Sequence, residues 1–72
     1  MDTEQKRIQL GESITRIRRA QNLSQARLGE MAGISRYHVY LIERGKISFG
    51  VDKLFALAEA LGVSPAEIFK DF

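Results

Sequence analysis

A chain of 72 residues, 44% hydrophobic with one proline and six glycines, has room for one small core and shows no low-complexity or disordered stretch. It contains no cysteine, no apolar run approaching the ~20 residues of a membrane span, and a polar start, MDTEQKRIQ, unlike a signal peptide; a soluble cytoplasmic protein with no disulfide or thiolate chemistry is expected. Net charge is only +2, but Arg16 to Lys46 holds seven positive residues and two acids, a balance of +5, whereas the remainder holds four and seven, a balance of −3. A positive middle is the footprint of a polyanion partner, or else an ordinary solvated helix surface.

Apolar residues recur at helical spacing throughout, and no stretch alternates as a strand would. Leu10, Ile14 and Ile17 make one stripe over a first helix of about Thr3 to Gln21, with Asn22 placed to end it. Ser24 can cap a second short helix carrying Leu28, Met31 and Ala32, stopped by Gly33. Ser35 caps a third, with Val39 and Ile42 inward and Gly45 as a left-handed stop. Val51, Leu54, Leu57, Ala58 and Leu61 form the inner face of a fourth helix ending at Gly62. A fifth opens on Ser64, Pro65 and Glu67, a capping box with proline at the first helical position. Five helices joined by short loops predict one all-α bundle over 1–72.

The junction between helices two and three is the informative one. Only Gly33, Ile34 and Ser35 join them, so the second helix of the pair must turn sharply on the first. Gly33 permits a left-handed backbone, Ile34 can tuck beneath, and the small Gly29 lets helix three pack close. A tight turn with a central glycine is the helix-turn-helix signature, here spanning about residues 24–44, in which the second helix is offered to the DNA major groove.

The run LSQARLGEMAGISRYHVYLIERGK, residues 23–46, resembles the Cro and lambda-repressor-like helix-turn-helix family (XRE-type). LFALAEALGVSPAEIF, residues 54–69, resembles that family's fourth and fifth helices, so the likeness covers about residues 10–69. The resemblance implies a lambda-repressor-like five-helix bundle and assigns roles by position. Gln25 matches a glutamine that bonds a phosphate and braces the reading helix. Ser35, Arg36, Tyr37 and Tyr40 fall where side chains reach bases and adjacent phosphates, and Arg44, Lys46 and Ser48 match the loop lying along the DNA backbone. Arg18 and Glu43 match an ion pair that ties helix one to helix three in some relatives. One departure stands out: relatives often carry a proline and then a serine or threonine cap before helix four, where this chain has Phe49 and Gly50.

On a helical wheel Val39, Ile42 and Glu43 share a face, with Arg36, Tyr37, Tyr40 and Arg44 on the other side. Arg36 can fork onto a guanine edge or hold a phosphate; Tyr37 can bond a phosphate, press on a thymine methyl, or lie over the protein's own surface. Base contacts are thus expected from Arg36, Tyr37 and Tyr40, and phosphate contacts from Gln25, Ser35, Arg44, Lys46 and Ser48. His38 is the only histidine and lacks companions for a metal site or general-base chemistry, so it reads as a packed residue. No cofactor, metal or enzymatic activity is expected. The expected function is a sequence-specific transcriptional regulator binding double-stranded DNA at an inverted repeat as a homodimer, comparable in size and plan to restriction-modification controller proteins and phage repressors. Ile68, Phe69 and Phe72 are the candidate dimer interface, and exposed Glu30 is a candidate contact for RNA polymerase. The competing class is an antitoxin or other protein-interaction module on the same fold.

Overall fold

The computed structural model describes residues 3–70, which form five helices and no strand: α1 Thr3–Ala20, α2 Gln25–Ala32, α3 Arg36–Glu43, α4 Val51–Leu61 and α5 Pro65–Ile68. The order and ends follow the sequence closely because the terminating signals are local. Asn22 takes φ 59 after α1, and the N–H groups of Gln21 and Asn22 fold back on the carbonyls of Arg18 and Arg19 at 3.1 and 2.9 Å. Ser24, Ser35 and Ser64 each accept a backbone N–H three residues on, from Arg27 (3.0 Å), His38 (3.0 Å) and Glu67 (3.4 Å). Each satisfies a donor that the first helical turn cannot pair internally.

One core holds the helices: Ile14 from α1, Leu28 from α2, Val39 and Ile42 from α3, Leu54, Leu57, Ala58 and Leu61 from α4, and Ile68 from α5. Burying each large aliphatic side chain contributes about 1.5–3 kcal/mol. The α2 helix packs on α3 and α4, and α1 on α3 and α5, so α3 rests on two supports. The α2–α3 turn is tight for the expected reason: a Cβ at Gly29 would lie 2.6 Å from the Ile34 carbonyl oxygen, a distance only glycine permits. Gly33 supplies the left-handed step at φ 77.

One inward assignment is corrected: Val51 is 58% exposed. Met31 also faces solvent. Val51 lies in the first turn of α4, where the angle around the axis suits burial but the side chain stays in solvent; Met31, in the last turn of α2, lines a shallow recess with Ala56, Glu59 and Ala60 of α4.

Between α3 and α4 the loop alternates. Ile47 and Phe49 turn in and pack against the core, while Lys46, Ser48 and Gly50 face out. Gly50 starts α4 without a side-chain cap; its carbonyl accepts from the N–H groups of Lys53 and Leu54 at 3.1 and 3.2 Å. At the far end, the buried Ser13 hydroxyl donates to the Ile68 carbonyl at 2.7 Å, fastening α5 to α1.

Candidate nucleic-acid interface

The pose of α3 is set from behind. A Cβ at Gly11 would lie 2.5 Å from the carbonyl oxygens of both Ile42 and Glu43, so α1 touches the last turn of α3 backbone to backbone. Next along α1, the Arg18 guanidinium forks onto Glu43, Nε to Oε2 at 2.6 Å and Nη2 to Oε1 at 2.9 Å, and its Nη1 donates to the Leu23 carbonyl at 2.7 Å. Gln25, first residue of α2, adds its amide: Nε2 donates to Glu43 Oε1 at 3.0 Å. One carboxylate therefore joins α1, α2 and α3.

Burial pushes the Glu43 carboxyl up, yet it titrates below its ordinary value because hydrogen bonds from Arg18 and Gln25, with the Arg18 charge, outweigh the desolvation. The Thr15 hydroxyl nearby donates to the Gly11 carbonyl at 2.9 Å, so we assign the lowering to Arg18 and Gln25.

The opposite face of α3 is open. Arg36 and Arg44 are exposed, Tyr37 is 67% exposed and Tyr40 40%. The two tyrosine rings stack, centroids 6.1 Å apart and planes 19° from parallel, and the Arg44 guanidinium lies 5.9 Å from the Tyr40 ring centre. Gln25, Arg36, Tyr37 and Tyr40 line one recess of about 260 Å³. Beside it a groove of about 630 Å³ runs between α1, α2 and α3, walled by Arg19, Ser24, Gln25, Arg36, Tyr40 and Arg44 among others. Gln25, Arg36, Tyr37, Tyr40 and Arg44 are thus brought together. Ser35, Lys46 and Ser48 line neither recess, although all three are exposed. The Ser35 oxygen is committed to capping α3, which leaves its proton free to donate outward. His38 is half-buried at the start of α3.

The expected dimer residues divide. Ile68 is fully buried in the core of a single chain, so it is withdrawn from any interface; as the main aliphatic of a four-residue helix, it is what α5 contributes to the core. Phe69 remains exposed, and Phe72 lies outside the described residues. A larger apolar surface sits on α4, where Val51 and Phe55, 52% exposed, fall one turn apart. Phe55 carried no warning in the sequence, because it follows Leu54 in an otherwise apolar run. Glu30 is exposed and pairs with Arg27 one turn back. Arg19, which lines the groove between α1, α2 and α3, was also missed; only its place in the positive middle of the chain hinted at it.

Among the described residues no group of three or more His, Cys, Asp or Glu is arranged to hold a metal ion, and no helix is long and apolar enough to cross a membrane. A buttressed helix presenting cationic and aromatic side chains after a tight glycine turn defines a helix-turn-helix domain of lambda-repressor-like architecture. The helix-turn-helix family model HTH_3 matches residues 14–68, and the chain belongs to that family.

Relatives and solved structures agree with this assignment. An HTH-type transcriptional regulator of Sinorhizobium fredii, y4aM, is 37% identical over 78 residues, covering 99% of this chain and 54% of the relative. The regulator PuuR of Escherichia coli is 33% identical over 61 residues, covering 85% of this chain and 33% of PuuR. The chain therefore spans about half or less of these two relatives. The crystal structure of the restriction-modification controller protein C.AhdI from Aeromonas hydrophila superposes with a TM-score of 0.88 at 31% identity, covering 89% of this chain and 97% of that one. The P22 c2 repressor, solved with a synthetic operator, superposes at 0.76 and 34% identity, covering 82% and 89%.

Proposed function

We propose that this chain is a sequence-specific DNA-binding transcriptional regulator that grips an inverted-repeat operator as a homodimer, with α3 in the major groove of each half-site. One observation carries the reading: the outer row Arg36, Tyr37, Tyr40 and Arg44 is open to solvent on a helix whose inner face is tied through Glu43 to Arg18 and Gln25. A rigid helix with solvent-facing side chains is suited to reading an external surface, and planar and cationic groups suit base edges and phosphates. The regulators and the operator-bound repressor that it resembles support the same reading.

Around the row, Gln25, Ser35, Arg44, Lys46 and Ser48 are the proposed phosphate partners, with Arg19 added from the groove. A single domain covers one half-site; two copies with their third helices one turn apart, roughly 34–36 Å, cover a palindrome. Val51, Phe55 and Phe69 provide the proposed apolar surface for pairing. Selection of bound duplexes from random DNA tests the proposal: an enriched inverted repeat is expected, and no enrichment would overturn it. Sedimentation at micromolar concentration tests the pairing, with a dimer expected for the parent chain and a folded monomer for Phe55→Ser.

A further inference from the structure

We infer that Tyr37 and Tyr40 act together as a reader of pyrimidine 5-methyl groups in the major groove, an inference that rests on the DNA-binding reading above. The two rings are not independent side chains. Three residues apart on one face of α3, they hold one another in a stack, centroids 6.1 Å apart and planes 19° from parallel, and Arg44 steadies the inner ring from 5.9 Å. Arg36 and Arg44 bracket the pair in sequence, so cations flank a patch of aromatic carbon, of which Tyr37 is mostly and Tyr40 partly open to water.

The chemistry of the groove narrows what such a patch can meet. Phosphates and most base edges offer hydrogen-bonding groups, which the flanking arginines are equipped to take. The apolar group that the major groove displays is the methyl on C5 of thymine, and 5-methylcytosine carries a methyl at the same carbon. With bases rising about 3.4 Å per step, rings 6.1 Å apart cover about two steps of one strand. The stack also restrains both rings before binding, so less side-chain freedom is lost when a methyl is enclosed.

The test uses the duplex obtained by selection and fluorescence anisotropy. Each thymine is replaced singly by deoxyuridine, which removes the methyl and leaves every hydrogen-bonding edge in place. One or two positions in each half-site are expected to weaken binding about fourfold, the worth of burying one methyl-sized group. Tyr37→Ser and Tyr40→Ser are expected to lose that sensitivity, and the matching Phe variants to keep it. Tyr37 is 67% exposed and Tyr40 40%, so thermal unfolding of the Tyr37 variants and of Tyr40→Phe is expected to match the parent, and Tyr40→Ser is expected to remain folded with a lower midpoint. At the sensitive positions, a 5-methylcytosine·guanine pair is expected to bind better than cytosine·guanine by a similar factor if the methyl alone is read; preference for thymine only would assign the site to thymine. Operator binding indifferent to uracil at every position would overturn the inference, as would sensitivity that survives in the Ser variants or vanishes in the Phe variants. Failure to enrich any sequence would instead remove the DNA-binding reading beneath it.

Discussion

Arg18 and Glu43, 25 residues apart in sequence, meet through two parallel hydrogen bonds of 2.6 and 2.9 Å with both side chains buried. Neither charge has water to fall back on, so each depends on the other. Removing one partner by Glu43→Leu or Arg18→Met is expected to cost about 3–5 kcal/mol, much of the stability of so small a domain. The double variant, which leaves no stranded charge, is expected to recover most of that loss. Urea unfolding of the three variants measures both outcomes; a double variant as weak as the singles would refute the account.

The same pair sets a pH dependence. Glu43 titrates lower in the folded chain than in the unfolded one, so the folded state binds fewer protons in acid. Its contribution is complete above the ordinary glutamate value of about 4.3, declines as the pH falls through that value, and is gone below the depressed folded value. The stability gap between the parent and Glu43→Gln should therefore be widest at neutral pH and close in acid. A gap that stays constant from neutral to acid would contradict the assignment.

How far these features could be read in advance depended on distance along the chain. Serine caps, glycine stops and the stripe of Ile14, Leu28, Ile42 and Leu57 are written within a turn or two of the structure they produce, and they were legible. Val51 was misplaced because periodicity gives an angle around a helix and says nothing of whether a neighbour covers it. Ile68 was misplaced because an apolar chain end looks the same whether it fills its own core or meets another. Arg18 and Glu43 were legible only through family resemblance, since no local signal links them. Gly11 was invisible: its partner carbonyls lie more than 30 residues away.

Gly11 provides a sharp packing test. Alanine at a helix interior normally gains about 0.5–1 kcal/mol over glycine. Here its Cβ would meet two backbone oxygens at 2.5 Å, which cannot swing aside as a flexible side chain would. Gly11→Ala is expected to reverse the sign and destabilise by about 1–3 kcal/mol, displacing α3 and weakening DNA binding with it. Gly50→Ser, at an N-cap in open space, is expected to stabilise by a few tenths of a kcal/mol. Thermal unfolding of the two variants checks the contrast.

The proposed base and phosphate roles are separable by salt and sequence. Arg36→Ala is expected to cost about 1–3 kcal/mol on the selected operator and to relax preference at one position. Lys46→Ala is expected to weaken operator and scrambled duplex alike and to flatten the plot of log affinity against log salt by about 0.9 per domain. Anisotropy titrations across a salt series distinguish them, and a uniform loss for Arg36→Ala would move it to the phosphate class.

The loop from Lys46 to Gly50 reverses direction at every residue, Ile47 and Phe49 in, Lys46 and Ser48 out. Such a segment is governed by parity. Chemistry on its outer positions can vary freely, whereas deleting one residue would exchange the two sets, turning an aromatic ring to solvent and a charge toward the core. A single-residue change of length in this loop is therefore expected to be disruptive, a constraint that no individual side chain in it reveals.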